Sequence, residues 1–324
     1  MATNSVVRIN PQTMTASAQP GDLDGFISQW LAEVDVAART KDAYRKGIYY
    51  YRDYLNGEAL TGSSRADVLA YKGHLQATYK PGTVSTYLVP VRRFYTWLHA
   101  TTGTPDITAG IKGAKPSTGH AKDALTEHQV GDVLAAITGP TATRDRALLA
   151  LMVGTGVRVI EVTRASVGDL RSSGGATVLD VWGKGHESKD ALVVIRPNVE
   201  RLIRAYLASR GPLTDDAPLF ASASNRNPGG RMTTRSVSRV VKETLAAAGL
   251  TSSRLTAHSM RHTAVTLALL GGAPLEDVQA MARHTNISTT QIYAHALNRI
   301  EDAAEGYIDA ALDRALGLAP RATA

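Results

Sequence analysis

Residues 101–123, "TTGTPDITAGIKGAKPSTGHAKD", are rich in Gly, Pro, Thr and Lys and nearly free of large apolar side chains. Glycine and proline at this density interrupt helix and strand alike, so the segments on either side must pack separately. The chain has 324 residues and 44% hydrophobic content, enough for two cores rather than one. The expected division is a polar leader over 1–21, a first domain over 22–110, a linker over 111–124, a second domain over 125–297, a C-terminal helix over 298–316 and a tail over 317–324. No internal repeat is visible.

The first half carries helical periodicity. In "LDGFISQWLAEV" the apolar residues Phe26, Ile27, Trp30, Leu31 and Val34 recur every three or four positions, one stripe of a helix. In "TKDAYRKGIYYYRDYL" tyrosines interleave with Lys41, Arg45, Lys46 and Arg52. That pattern reads either as a nucleic-acid face or as a core stripe overlain by the stems of charged side chains. A third helix is predicted over "SRADVLAYKGHLQ" and a fourth over "GTVSTYLVPVRRFYTWLHA", which carries Arg92 and Arg93. Pro90 predicts a kink or break there, because its ring removes a backbone donor.

The second half opens on "LTEHQVGDVLAAI", where Thr126 and Gln129 are spaced as a capping box. Helices continue through "RDRALLALMVGTGVRVIEVTRAS", and then the period changes. "GATVLDVW" and "ALVVI" are β-branched runs separated by "GKGHESKD", which predicts a hairpin or small sheet with an extended turn. Helices resume near Asn198 and end in the amphipathic "NRIEDAAEGYIDAALDRAL".

Charge narrows the partner. Thirty-six Lys and Arg against 29 Asp and Glu give a net charge of +7, which favours a polyanion, most simply nucleic acid. Cysteine is absent, excluding disulfides, thiolate nucleophiles and Cys-ligated zinc. No apolar run approaches the roughly 20 residues that cross a bilayer. No membrane association is expected, and the setting expected is cytoplasmic and nucleoid-associated. The HExxH, GxSxG and GxxxxGK[ST] patterns are missing, so metalloprotease, α/β-hydrolase and NTPase readings lose their usual signals and no metal site is assigned.

Four separated pieces carry the chemistry. "TGVRVIEV" places Arg158 and Glu161 three apart, "GKGHESKD" puts Lys184 between two glycines in a turn, and "AHSMRH" sets His258 and Arg261 on one helical face. "ARHTNISTTQIYAHA" places His284 nine residues before Tyr293, with a short loop closed by the hydroxyls of Ser288 and Thr289. Taken together these make an anion site with a nucleophile: arginine forks bind phosphate oxygens, imidazoles add hydrogen bonds, and a phenol can attack. His262 points about 100° away from Arg261 on a helix; it and His295 are set aside as packing or surface residues.

In this order, Arg, Lys, His-x-x-Arg, His, Tyr, the sequence resembles the tyrosine recombinases, the phage-integrase and Xer group of site-specific DNA recombinases. The resemblance covers residues 22–312 and is strongest in "TGVRVIEV", "GKGHESK", "AHSMRHTAVT" and "HTNISTTQIYAHA". It implies a mainly α fold, with an N-terminal helical, SAM-like core-binding bundle and a mixed helical catalytic domain holding a small antiparallel sheet. It implies further that Arg158 and Arg261 clamp the scissile phosphate, Tyr293 attacks, Lys184 or, less favoured, Lys189 protonates the leaving 5′-oxygen, His258 and His284 bond the phosphate, and Glu161 supports them. No cofactor is implied. Arg45, Lys46, Arg52, Arg92 and Arg93 become candidate DNA contacts.

One departure stands out. The family usually carries Leu-Gly before the second histidine, where this chain has Ala282 and Arg283. Arg283 is expected either to reshape the loop around His284 or to add a DNA contact. In the last helix, Ile300, Ala303, Ala304, Tyr307, Ile308, Ala311 and Leu312 form a stripe that must be buried, either in its own subunit or, as the resemblance implies, in a neighbour. The implied assembly is a homotetramer on double-stranded DNA with paired-arm sites, monomeric or dimeric off DNA, with an accessory protein or partner recombinase possible. Competing readings are a type IB topoisomerase and a non-catalytic sequence-specific DNA-binding protein.

Overall fold

The computed structural model describes residues 23–56, 60–114, 123–182, 188–301, 308, 311–312 and 314–316. The chain divides into two compact units, Met1–Gly119 and His120–Ala324. The expected leader and tail, most of the expected linker and the turn lysine Lys184 lie outside the described residues.

The first unit is built from α1 (Leu23–Glu33), α2 (Ala38–Tyr54), α3 (Arg65–Thr78) and α4 (Pro81–Thr102). The α1 stripe supplies buried Ile27, Trp30 and Leu31, with Phe26 and Val34 packed partly against the same core. A reciprocal cap starts α3: the Ser64 N–H donates to the Asp67 carboxylate at 2.7 Å and the Asp67 N–H to the Ser64 hydroxyl at 3.4 Å. From that start Val68, Tyr71 and Leu75 fall on the buried face. Helix α2 turns its tyrosines toward the core. Tyr51 is fully buried and Tyr44, Tyr49, Tyr50 and Tyr54 pack partly against the core, while Arg45 and Lys46 are exposed and the Arg52 guanidinium lies 4.4 Å from the Tyr49 ring centre. Arg92 and Arg93 are exposed on α4.

The predicted break at Pro90 does not occur: α4 runs through it from Pro81 to Thr102. The reason is tertiary. A Cβ on Gly47 of α2 would lie 2.5 Å from the Pro90 ring, so the glycine opens a notch into which the proline fits. Packing of α2 on α4 outweighs a local cost of about 3 kcal/mol.

The second unit holds α5 (Glu127–Ala135), α6 (Ala142–Thr155), α7 (Val159–Arg164), β1 (Leu170–Ser173), β2 (Ala176–Val181), β3 (Ala191–Ile195), α8 (Pro197–Ala208), α9 (Thr234–Ala247), α10 (Ala257–Leu270), α11 (Leu275–Ala282) and α12 (Ser288–Glu301). The Thr126 and Gln129 capping box forms as predicted. Helix α6 is the centre: Ala147, Leu148, Leu149, Leu151 and Met152 are all buried, as expected of a helix that is apolar nearly all round.

The two predicted strands pair antiparallel, with Thr177 opposite Ile195 and Val181 opposite Ala191. A third strand, β1, was not predicted; it pairs with β2 from Leu170 opposite Leu179 to Ser173 opposite Ala176. Its polar "LRSS" hides it, but Gly174 and Gly175, both at positive φ, form the tight turn that a two-residue hairpin needs. Among the described residues no helix is long and apolar enough to cross a membrane.

Candidate functional site

Helix α6 ends on Gly156 in the left-handed conformation, φ 64°. A Cβ there would touch the Ala264 methyl at 3.4 Å, so glycine serves both the turn and the close approach of α10. The turn delivers Arg158 as the N-cap of α7, with Glu161 at the third helical position. The Glu161 carboxylate accepts the Arg158 N–H at 2.7 Å and its guanidinium at 2.8 Å. Glu161 is only 3% exposed. The pair is therefore not the surface contact that an i, i+3 spacing alone suggests, and breaking it would strand a buried charge.

Arg261 reaches in from α10 and is buried. It donates to the Gly156 carbonyl at 2.6 Å and to the Ala282 carbonyl. Arg158 donates to the next carbonyl, that of Arg283, at 2.9 Å. Two guanidinium groups from different helices thus grip consecutive peptides at the end of α11. Burial draws the Arg261 pKa down to about 10, with Arg158 and Arg283 adding to the fall and Glu161 opposing it; the group stays charged at neutral pH.

Arg283 corrects both expectations attached to it. Its backbone takes the left-handed conformation, φ 52°, the region a glycine enters freely. Its side chain turns inward, donating to Glu161 at 2.7 Å and to the Met281 carbonyl at 3.0 Å. The loop keeps a glycine-like path, and the guanidinium is engaged internally rather than offered at the surface. Three arginines and one carboxylate leave this pocket with excess positive charge.

His284 follows directly. Its Nδ1 is hydrogen-bonded to the Thr290 hydroxyl at 2.9 Å; the loop is fastened by this fully buried threonine, not by the expected Ser288 and Thr289 hydroxyls. Burial, then the positive charges of Arg261 and Arg158, hold its pKa down to about 4, so the ring is neutral at pH 7. It stacks on Tyr293 with centroids 6.4 Å apart and planes 15° from parallel.

Tyr293 sits on α12 in a small cluster with Val265, Val278 and Ala282. Burial pushes its pKa up to about 12, against a lowering by Arg261. Its hydroxyl is hydrogen-bonded to Nδ1 of buried His262. His262, set aside in the sequence as a packing or surface residue, is packed here against Tyr293. It points away from Arg261, but it lies one turn after His258, and the two rings meet edge to face at 4.6 Å. The i, i+4 spacing of His258 and His262 was the available signal. His258 itself is exposed.

Lys184 and the His295 side chain lie outside the described residues. Lys189, the less favoured proton donor, is ion-paired with Asp169.

A model of the phage integrase family matches residues 123–299. The tyrosine recombinase XerD of Xanthomonas axonopodis pv. citri (strain 306) is 34% identical over 297 residues, covering 85% of this chain and 93% of its own. Among solved structures, the XerH site-specific recombinase bound to a palindromic difH substrate, a post-cleavage complex, superposes with a TM-score of 0.70 at 19% identity over 89% of this chain and 84% of its own. A lambda integrase tetramer bound to a Holliday junction gives 0.66 at 15% identity, over 84% and 76%. The mainly helical architecture with its small antiparallel sheet is the fold of these enzymes. With a family match over more than half of its length and a curated relative matched almost end to end, the chain belongs to the phage integrase family and is a tyrosine site-specific recombinase.

Proposed function

We propose that the chain cuts and rejoins double-stranded DNA at a specific site through a 3′-phosphotyrosyl link on Tyr293. The observation that carries this reading is the convergence of Arg158, Arg261, His284 and Tyr293 around the turn after α11, in a pocket where buried Glu161 pairs with Arg158 and Arg283. In the reaction the Tyr293 oxygen bonds to phosphorus, the bond to the 5′-oxygen breaks, and Lys184 gives that oxygen its proton. Arg158 and Arg261 offset the charge of the pentacoordinate transition state, the effect that usually dominates such catalysis. Neutral His284 and exposed His258 add hydrogen bonds, and Glu161 orients Arg158.

The exchange runs through a Holliday junction in a tetramer on two DNA sites. The lambda integrase likeness supports the assembly, as do Ile308, Leu312 and Leu316, which are 61%, 51% and 68% exposed and repeat every fourth residue. Such a row fits docking on a neighbouring subunit. The first unit binds duplex DNA with Arg45, Lys46, Arg52, Arg92 and Arg93 as contacts, and the protein works in the cytoplasm on nucleoid DNA.

The test is covalent capture. The protein and Tyr293→Phe are incubated with nicked suicide duplexes tiling the DNA around the chain's own coding region, then run on a denaturing gel. An adduct that is lost in the variant, together with no relaxation of a supercoiled plasmid lacking the captured site, is the expected result. Relaxation of any plasmid would point to a topoisomerase, and DNA binding with no adduct on any duplex would point to a binding protein.

A further inference from the structure

The reading above leaves one proton without an acceptor. A phenol attacks phosphorus as its oxygen loses hydrogen, and the buried Tyr293 hydroxyl holds that hydrogen more tightly than a free phenol. We propose that His262 is a catalytic residue that takes the Tyr293 proton during attack; the proposal rests on Tyr293 being the nucleophile.

The geometry singles it out among the described neighbours. The hydroxyl is hydrogen-bonded to His262 Nδ1. With the phenol as donor, Nδ1 must be the unprotonated ring nitrogen, which is the form a base requires. His284 lies face to face with the phenol ring rather than in line with its hydroxyl, and its Nδ1 is committed to Thr290. Glu161 is taken by Arg158 and Arg283. The His258 ring packs edge-on against His262. Because His258 is exposed, a second imidazole stands between the acquired proton and solvent.

The step balances. As the Tyr293 oxygen bonds to phosphorus its proton passes to His262, which becomes imidazolium. The bond to the 5′-oxygen breaks, and that oxygen is protonated by the separate donor. In rejoining, the 5′-hydroxyl returns its proton to that donor as its oxygen bonds to phosphorus, the bond from phosphorus to the Tyr293 oxygen breaks, and that oxygen recovers its proton from His262.

The experiment is single-turnover cleavage by the full-length protein at saturating suicide duplex, using the site captured above, for His262→Asn, His262→Ala, Lys184→Ala and Tyr293→Phe. Asparagine can place an oxygen near Nδ1 and accept the same hydrogen bond, but it is not basic. We expect His262→Asn to cleave about 100-fold more slowly, the scale of general-base catalysis, with unchanged DNA affinity by gel shift. On a duplex with a 5′-bridging sulfur, which leaves without a proton, the His262→Asn deficit should persist while the Lys184→Ala deficit shrinks. Wild-type rates for His262→Asn would reduce Nδ1 to a hydrogen-bond acceptor and overturn the proposal. So would faster cleavage by His262→Ala, which would make the contact a restraint, or rescue of His262→Asn by the sulfur duplex. An adduct formed by Tyr293→Phe would instead overturn the nucleophile itself.

Discussion

Arg158 and Arg261 are fastened by charge: each donates to backbone carbonyls, and buried Glu161 ties Arg158 and Arg283 together. Tyr293, on the neighbouring helix, is fastened mainly by shape, in a cluster whose other buried members are Val265, Val278 and Ala282. The large core around α6 does not include it. The arginine half of the site is thus part of the body of its unit, whereas Tyr293 rides on a small separate patch. Local opening is cheapest where few apolar contacts must be broken, so α12 is expected to open before the core around α6 does.

The contrast can be broken most directly at Glu161. Glu161→Ala leaves two partly buried guanidinium groups without their carboxylate, and we expect a loss of about 3 kcal/mol in urea unfolding together with loss of adduct formation. A change below about 1 kcal/mol would place this pair with surface ion pairs and remove the distinction. Val278→Ala tests the other side. It should cost about 2 kcal/mol and accelerate amide exchange in α11 and α12 while leaving α6 unaltered; equal acceleration in α6 would mean one undivided core.

The smallest effect expected is on pH dependence. His284 is held near pKa 4 in the folded chain against about 6.5 when unfolded. Below pH 6.5 the unfolded chain therefore takes up a proton that the native ring refuses, and stability falls until about pH 4, where the native ring also protonates. The Tm of the wild type should drop more steeply across that window than the Tm of His284→Gln. Parallel curves would show that the ring is less enclosed than its contacts with Thr290 and Tyr293 indicate.

Much of the fold is legible because it is local. The capping pair Thr126 with Gln129 announces a helix start within four residues, and the β-branched runs announce β2 and β3. The candidate site is legible as an ordered set of residue types, since Arg158, Arg261, His284 and Tyr293 come together in space. What stays hidden depends on partners far away in sequence. Pro90 breaks a helix in isolation and fits one only because Gly47 makes room across the core. His262 looks turned away until Tyr293, 31 residues later, packs against it. Strand β1 has no apolar signature because its pattern is set by pairing with β2 rather than by burial.

The two arginines hold the end of α11 by peptide oxygens, which every amino acid possesses. That hold therefore asks nothing of the side chains at 282 and 283; the second position needs only to tolerate a left-handed backbone. A change of side chain there can leave that connection in place. A search pattern that insists on glycine before the second histidine would pass over enzymes such as this one, whereas one written for two arginines followed by a left-handed turn would find it.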